Sequence, residues 1–114
     1  MNVKIKRVYE PAARGDGTRI LIDRLWPRGL SKESAHVDLW LKESAPGTAL
    51  RKWFGHDPDR WPEFKRRYRA ELARNGEQVE LLKQAVRKGP ATLVYGAKDE
   101  AHNDAVVLQA LLRR

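Results

Sequence analysis

Apolar and polar residues follow two different patterns near the start of the chain. Val3 and Ile5 alternate with lysines, which is the period of a strand with one solvated face and predicts a first strand over residues 3–9. Consecutive apolar residues in the segment 18–22 predict a second, more buried strand. The loop between them carries one proline and two glycines and is too short for a crossover helix. The two strands would therefore be antiparallel if they were neighbours.

The segment 31–55 gives weaker signals. Ser31 could cap a short helix, although Ser34 stands where a capping box usually has Glu or Gln. Residues 36–41 fit both a strand and one face of a helix, and we favour an extended segment. Thr48 is predicted to cap a helix over residues 49–54 that ends at Gly55.

Helical spacing dominates the second half of the chain. An apolar stripe at spacings of three and four residues predicts a helix that runs to about residue 74; it consists of Trp61, Phe64, Tyr68 and Leu72. Asp57 is the predicted cap of the preceding turn, and Pro62 separates that turn from the helix proper. A second helix is predicted over 77–88, followed by a buried, central strand over 91–95 and a last apolar helix near 102–112.

These elements describe one α/β domain over residues 1–114. We expect a single small domain with a three- or four-stranded mixed sheet and about four helices packed on it. Most of the helices lie between the second and the last strand, which permits a right-handed parallel crossover between those two strands.

Composition and charge favour some classes of function and exclude others. The formal net charge is +8, from 23 Lys and Arg against 15 Asp and Glu, which favours anionic partners such as phosphate esters or nucleic acid. The absence of cysteine excludes disulfides, thiolate metal sites and thiol nucleophiles. No apolar run is long enough to span a bilayer, and the first residues do not resemble a signal peptide, so we expect a cytoplasmic protein with no membrane association.

Three polar motifs interrupt the apolar pattern, at residues 23–30, 53–58 and 95–103. The first and third each follow a buried strand. If the second and last strands are parallel, their carboxyl ends lie at the same edge of the sheet, which is where ligands bind in open α/β folds. We therefore expect one cleft between residues 23–30 and 95–103.

The residue types in this cleft suit a phosphate or a carboxylate. Arginine can bind either group through two hydrogen bonds, and a helix N-terminus offers free N–H groups. The predicted ligand-binding residues are Arg24, Arg28, Lys98, Asn103, Asp23 as the residue that orients an arginine, and His56.

A structural explanation stays open for each motif. Asp99 could cap the last helix, Asp23 and Arg24 could form an internal ion pair, and Trp26 with Pro27 could fill the core. Asp57 fits a helix cap better than the partner of His56 in an acid/base pair.

The function predicted from these residues is binding of a small anionic ligand. If the protein is an enzyme, which the sequence leaves open, His102 or Asp99 is the expected acid/base catalyst. No phosphate-loop or dinucleotide motif is present, and the three histidines lack the spacing of a helical zinc pair, so we expect no cofactor and no metal. Nothing in the sequence indicates an oligomeric state.

Nucleic-acid association is the alternative function. The segment 65–74 carries the densest basic cluster, but on a helix these residues would mostly face solvent. Contacts from this face would reach the nucleic-acid backbone and weaken with salt. No helix-turn-helix or aromatic RNA-binding signature accompanies it.

The segments 23–32, 50–58 and 95–108 occur together in this order and resemble the YeaO-like family of small uncharacterised bacterial proteins. The resemblance covers nearly the whole chain. It implies a cytosolic bacterial protein with a single α/β domain, and it implies no particular activity. Some relatives in the wider superfamily carry cysteines near the position of His102 and Asn103, where this chain has none.

Overall fold

The computed structural model describes residues 3–113 as four strands and five α-helices. The strands are β1 (Val3–Arg7), β2 (Thr18–Leu21), β3 (Leu39–Trp40) and β4 (Ala91–Tyr95). The α-helices are α1 (Lys32–Ala35), α2 (Thr48–Phe54), α3 (Trp61–Ala73), α4 (Gly76–Arg87) and α5 (Asp104–Leu112). Single 3-10 turns occur at Arg14–Asp16, Lys42–Ser44 and Pro58–Arg60. No helix within the described residues is long and apolar enough to cross a membrane.

The four strands form one sheet in the order β1-β4-β2-β3, and the α/β class is as predicted. All three strand pairings are parallel. The sheet is therefore fully parallel, whereas a mixed sheet was predicted. β4 lies between β1 and β2 and all five of its residues are buried, which confirms its predicted central position. The parallel pairing of β2 with β4, on which the predicted cleft depends, is confirmed by the register from Thr18 with Ala91 to Leu21 with Val94.

β1 and β2 are not neighbours, so the antiparallel pairing considered from the sequence does not arise. The connection over residues 8–17 is short, but extended chain covers roughly 3.3 Å per residue, which is enough to return across a five-residue strand without a helix. The 3-10 turn Arg14–Asp16 completes this return. The condition for antiparallel pairing is therefore not met, and the predicted mixed sheet is wrong because an extended connection returns the chain to a parallel strand.

Local capping agrees with the sequence in most places. Ser31 and Ser34 bond reciprocally at the start of α1, and the Asp57 side chain accepts a hydrogen bond from Asp59 N before the turn Pro58–Arg60. Gly55 ends α2 in the left-handed conformation, as predicted. The cap of α2 is Gly47 and not Thr48, which is its first helical residue.

The start of the last helix also needs correction. α5 begins at Asp104 and not near His102, and its cap is Asn103, whose Oδ1 accepts from Val106 N. Asp99 therefore does not cap this helix. It instead forms a tight turn, in which its Oδ1 accepts from Ala101 N and His102 N.

The sheet separates two apolar clusters. The larger one packs Ile20, Ile22 and Leu93 against the helices α2 to α5. The smaller one, on the opposite face, contains Leu21 and Val94 under the segment 26–37. The alternation of side chains along β2 and β4 produces this division, and the thicker helical layer lies on the side where the cleft forms.

Candidate functional site

A cavity of about 260 Å³ lies at the carboxyl end of the sheet. Because β2 and β4 are parallel neighbours, the residues that follow each strand reach the same edge. Residues from the rest of the chain close it at the sides. The lining residues are Asp23, Arg24, Leu25, Ala45, Pro46, Arg51, Phe54, His56, Phe64, Gly96, Ala97, His102, Asn103 and Asp104.

Five of the predicted site residues line this cavity: Asp23, Arg24, His56, His102 and Asn103. The other three do not. Arg28 is exposed beyond the cavity, and its backbone carbonyl accepts a hydrogen bond from the Tyr9 hydroxyl at 2.9 Å. Lys98 is exposed, and Asp99 lies behind His102. The chain segments therefore meet as expected, but only part of each segment faces the cavity.

Sequence reasoning missed two charged residues of the cavity, Arg51 and Asp104. Arg51 lies one turn before Gly55 on α2, two residues before the motif 53–58, and its positive charge so close to that motif was an available signal. Asp104 is the first residue of α5. Acidic residues are common in the first turn of a helix, so its sequence position did not indicate a site.

Asp23 and Asp104 both line this cavity, and each carboxyl group affects the pKa of the other. The backbone N–H of Gly96 donates to Asp23 Oδ2 at 2.8 Å, and Ala105 N donates to Asp104 Oδ1 at 3.0 Å. Burial raises the pKa of Asp104 well above its usual value, and the nearby Asp23 raises it further. Burial also raises the pKa of Asp23, although its hydrogen bonds and the charges of His56 and Arg51 oppose the rise. Of the two carboxyl groups, Asp104 therefore has the stronger preference for its protonated form.

Arg24 has an unusual environment in the cavity wall. Its Nη1 lies 3.6 Å from Glu43 Oε2, a long ion pair with a carboxylate that is 57% exposed. Its Nε is buried and has no hydrogen-bond partner among the described residues. The Arg24 side chain as a whole lines the cavity and is 29% exposed, so its guanidinium can still bind an anion there.

His56 is held at the cavity mouth by the backbone after α2. Its φ of 57° lies in the left-handed region, which non-glycine residues rarely adopt. The imidazole lies beside Phe54, with ring centroids 6.2 Å apart. Strained residues of this kind tend to be found at functional sites.

His102 is oriented by two contacts. Its Nδ1 lies 2.8 Å from Asp99 Oδ2, and its ring meets the edge of Trp61 at a centroid distance of 5.3 Å. The pKa of Asp99 is lowered, first by the hydrogen bond from Ala101 N and then by the bond with His102. Since Nδ1 is engaged, Nε2 is the imidazole nitrogen that remains for other contacts. The arrangement is an acid/base dyad in form, but its predicted catalytic role stays a prediction.

Trp26 belongs to the scaffold. Its indole Nε1 donates to Leu30 O at 2.7 Å, and its ring packs edge-on against Trp40 at 5.4 Å. Pro27 beside it is buried. No ion pair joins Asp23 to Arg24 among residues 3–113, because Arg24 pairs with Glu43 instead. Asp23 therefore contacts the backbone and Asp104, and does not orient Arg24 through a salt bridge.

The basic face of α3 is largely engaged with its own side chains. Glu63 accepts hydrogen bonds from both Arg66 and Arg67, which lowers its pKa to about 2. The guanidinium of Arg67 also lies over the Trp53 ring, 4.4 Å from its centroid, and Arg60 lies 5.4 Å from the same ring. The charges are exposed, yet two of the arginines already share a carboxylate.

A metal site has no support in the described part of the chain. Within residues 3–113, no three side chains of His, Asp or Glu are arranged to hold a metal ion. The pair of Asp23 and Asp104 faces arginine and histidine groups, and this arrangement suits a polar organic molecule better than a cation alone.

Comparison with known proteins identifies the family. A family model described as the inactive DUF488-N3 subclade matches residues 2–114. The chain is 45% identical over 113 residues to the uncharacterized protein YeaO from Escherichia coli, covering 99% of this chain and 98% of that protein. It is 40% identical over 110 residues to the uncharacterized protein Rv3073c from Mycobacterium tuberculosis, covering 96% and 92%. No solved structure matches it significantly. The chain therefore belongs to the YeaO-like family, within the DUF488-N3i subclade.

Proposed function

We propose that this protein binds a small anionic ligand, bearing a phosphate or a carboxylate, in the cavity at the carboxyl end of the sheet. The observation that carries the proposal is the Arg24 side chain, which lines the cavity and is held only by a long ion pair, 3.6 Å, with the exposed Glu43. An anion in the cavity would give this guanidinium a closer, charge-assisted partner.

The other cationic and neutral donors of the cavity support the same ligand. Arg51 and His56 come from α2 and the turn after it, and His102 comes from the loop before α5. All three reach the cavity that contains Arg24. An anion bound there would gain several charge-assisted hydrogen bonds at one point.

The size of the cavity limits the ligand. Its 260 Å³ would hold roughly nine water molecules at about 30 Å³ each, which suits a small metabolite and not a dinucleotide. Phe54, Phe64 and Pro46 supply apolar wall opposite the charged groups. The site therefore favours a compact molecule with one charged end and some apolar body.

We propose binding and not catalysis as the function of this site. The matching family model is described as an inactive subclade, which supports a domain that recognises a ligand without converting it. The dyad of Asp99 and His102 would then contribute a hydrogen bond to the ligand through His102 Nε2.

Paired substitutions in one motif test this proposal. Arg24→Gln removes a guanidinium that lines the cavity, whereas Arg28→Gln removes one that does not. Inorganic phosphate and 4-methylpentanoate are titrated separately into each protein, and binding is followed by amide chemical shifts. We expect Arg24→Gln to weaken the better ligand roughly 10- to 100-fold, the loss of a hydrogen bond to a charged group. Arg28→Gln should bind like the native protein.

Two results would contradict the proposal. One is a native protein that binds neither phosphate nor 4-methylpentanoate. The other is equal loss of binding in both variants, since that would indicate attraction by the overall positive charge and not by the cavity.

Nucleic-acid association by the face around residues 65–74 stays a separate hypothesis. Reversing the charges of Arg66, Arg67 and Arg69 would abolish DNA or RNA binding if that hypothesis holds, while ligand binding in the cavity would not change. The ion pairs of Glu63 with Arg66 and Arg67 give this face less available charge than its sequence suggests.

A further inference from the structure

We infer that the ligand is a small 2-amino acid, whose protonated amine binds between the carboxyl groups of Asp23 and Asp104 while its carboxylate binds Arg24. This inference rests on the proposed anion site and adds to it a neighbouring subsite for a cationic group. The arginine would recognise the anionic end of the molecule, and the carboxyl pair would recognise its cationic end.

Both carboxyl groups are built into the cavity by the backbone. Asp23 directly precedes Arg24 at the end of β2, and its Oδ2 is fixed by the N–H of Gly96 at 2.8 Å. Asp104 is fixed at the start of α5, where Ala105 N donates to its Oδ1. A methyl group on Gly96 would lie 3.3 Å from Asp23 Oδ2, so glycine leaves the space that this carboxylate occupies. The fold thus brings two acids together beside Arg24.

A pair of neighbouring carboxyl groups is an unfavourable arrangement without a cation. Two negative charges close together repel each other, and the pKa of Asp104 is raised accordingly, first by burial and then by Asp23. Arg51 and His56 stabilise the charge of Asp23, but both side chains are exposed, which weakens their effect. An ammonium group supplies a compact positive charge and three donors, which suits two carboxylates that face the same space.

The distance between the poles of the ligand must be short. Asp23 and Arg24 are adjacent residues that line one cavity, so groups bound to them belong to the same small molecule. A 2-amino acid carries its amine and its carboxylate on adjacent carbon atoms. Its side chain would then lie along Phe54 and Phe64, which favours an apolar amino acid.

Binding of the amine has a measurable proton balance. The ammonium group forms hydrogen bonds and no covalent bond, and the proton that Asp104 shares with Asp23 passes to the buffer as both carboxyl groups ionise. Binding should release up to about one proton for each amino acid bound, at pH values between the ordinary pKa of an aspartate and the raised pKa of Asp104. A hydroxy acid that binds at the same place would leave this proton where it is.

The test uses three probes that share a carboxylate and a branched apolar body: leucine, 2-hydroxy-4-methylpentanoate and 4-methylpentanoate. Each is titrated calorimetrically in two buffers with different ionisation enthalpies, neither of them phosphate. We expect leucine to bind at least about tenfold more tightly than the other two. Its binding alone should release protons, up to about one per molecule, and the release should vary with pH.

Asp104→Asn is the matched variant, since it keeps the shape of the side chain and removes the acid. It should abolish both the advantage of leucine and the proton release, while the affinity for 4-methylpentanoate changes by less than about threefold. Asp23→Asn provides a second variant, and circular dichroism checks the fold of each. The inference is overturned if the hydroxy acid binds as tightly as leucine, or if leucine keeps its advantage in both variants.

The same titrations distinguish failure of the amino acid inference from failure of the proposed anion site. Equal binding of all three probes, lost in Arg24→Gln, would leave the anion site intact and reject the amine. If neither the three probes nor inorganic phosphate binds, the anion site and the amino acid inference are both rejected.

Discussion

The two ends of strand β2 carry aspartates in opposite circumstances. Asp16 lies just before the strand and Asp23 just after it. Both are close to basic side chains and neither is fully exposed. The pKa of Asp16 is lowered, whereas the pKa of Asp23 is raised.

Asp16 is surrounded by a complete set of partners. Its Oδ2 lies 2.7 Å from Arg19 Nη1, 3.2 Å from Lys6 Nζ and 3.0 Å from Ala13 N. Burial acts to raise its pKa, but these hydrogen bonds outweigh the effect and lower it. Arg19 is satisfied in turn by the backbone carbonyls of Ala35 and His36. The amino end of the sheet is therefore a closed polar network that stabilises the fold.

Asp23 lacks such a set. It lines the cavity together with a second acid, Asp104, while the neighbouring Arg24 pairs with Glu43 and its Nε has no hydrogen-bond partner among residues 3–113. The comparison teaches that buried charge indicates structure where every partner is present. It indicates a binding site where charges of both signs line the same cavity and are not paired with each other.

The largest expected effect comes from the amino end. Asp16→Asn leaves Arg19, whose side chain is only 4% exposed, without its counter-charge. We expect a loss of about 3 to 5 kcal/mol in the free energy of unfolding, measured by urea denaturation. Asp59→Asn, at an exposed position, is the control and should change little. A loss below about 1 kcal/mol in Asp16→Asn would show that the network is not needed for stability.

An effect of intermediate size is expected from replacing glycines at the two ends of the sheet, Gly17 at the amino end and Gly96 at the carboxyl end. Gly17 has a φ of 62°, and a Cβ there would lie 2.1 Å from the backbone oxygen of Pro90. Gly17→Ala should therefore cost about 2 to 4 kcal/mol of unfolding free energy. Gly96→Ala meets only a side-chain oxygen at 3.3 Å, so it should cost less than about 1 kcal/mol while displacing Asp23 and weakening ligand binding. Urea denaturation and titration of the ligand probes measure these two effects, and equal destabilisation by both substitutions would contradict the distinction.

The smallest effect is a change of pH dependence at the carboxyl end. The folded pKa of Asp104 lies above the ordinary value of 3.8, so the folded protein binds more protons than the unfolded one above that pH. Stability should then fall as the pH rises from about 4 toward the raised pKa. Asp104→Asn removes this slope and should equal or exceed the native protein in stability at pH 7.

Urea unfolding at intervals from pH 4 to pH 8 measures this difference. The opposite sign is expected for Asp16, whose lowered pKa stabilises the fold above about pH 4 and whose contribution is lost as the pH falls. An Asp104→Asn protein that is less stable than the native one at every pH would contradict the shared-proton pair.

Much of the fold could be predicted because local patterns report local structure. The alternation at Val3 and Ile5, the buried run of β4 and the stripe from Trp61 to Leu72 each specify an element through the surface that it buries. The order of the strands was not accessible in this way. It depends on how residues 8–17 return across the sheet, and an extended connection leaves no periodic signal.

The candidate site was predictable as a set of segments and less so as a set of side chains. Parallel pairing of β2 and β4 brings residues 23 and 96 together, as expected. Whether Arg28 or Arg51 faces the cavity depends on the direction of each side chain after a turn, and on α2 packing over the sheet. Neither of these is encoded in the spacing of the motifs.

The sequence by itself determined the α/β class, the buried central strand, the family and the three polar motifs. The tertiary structure alone decided that Asp104 lies near Asp23, that Arg24 pairs with Glu43 and not with Asp23, and that Arg66 and Arg67 share Glu63. The physical reason is the separation along the chain of the residues that interact. Apolar periodicity follows from neighbouring residues, whereas the pairing of charges depends on distances between residues that are far apart in the chain and close only after folding.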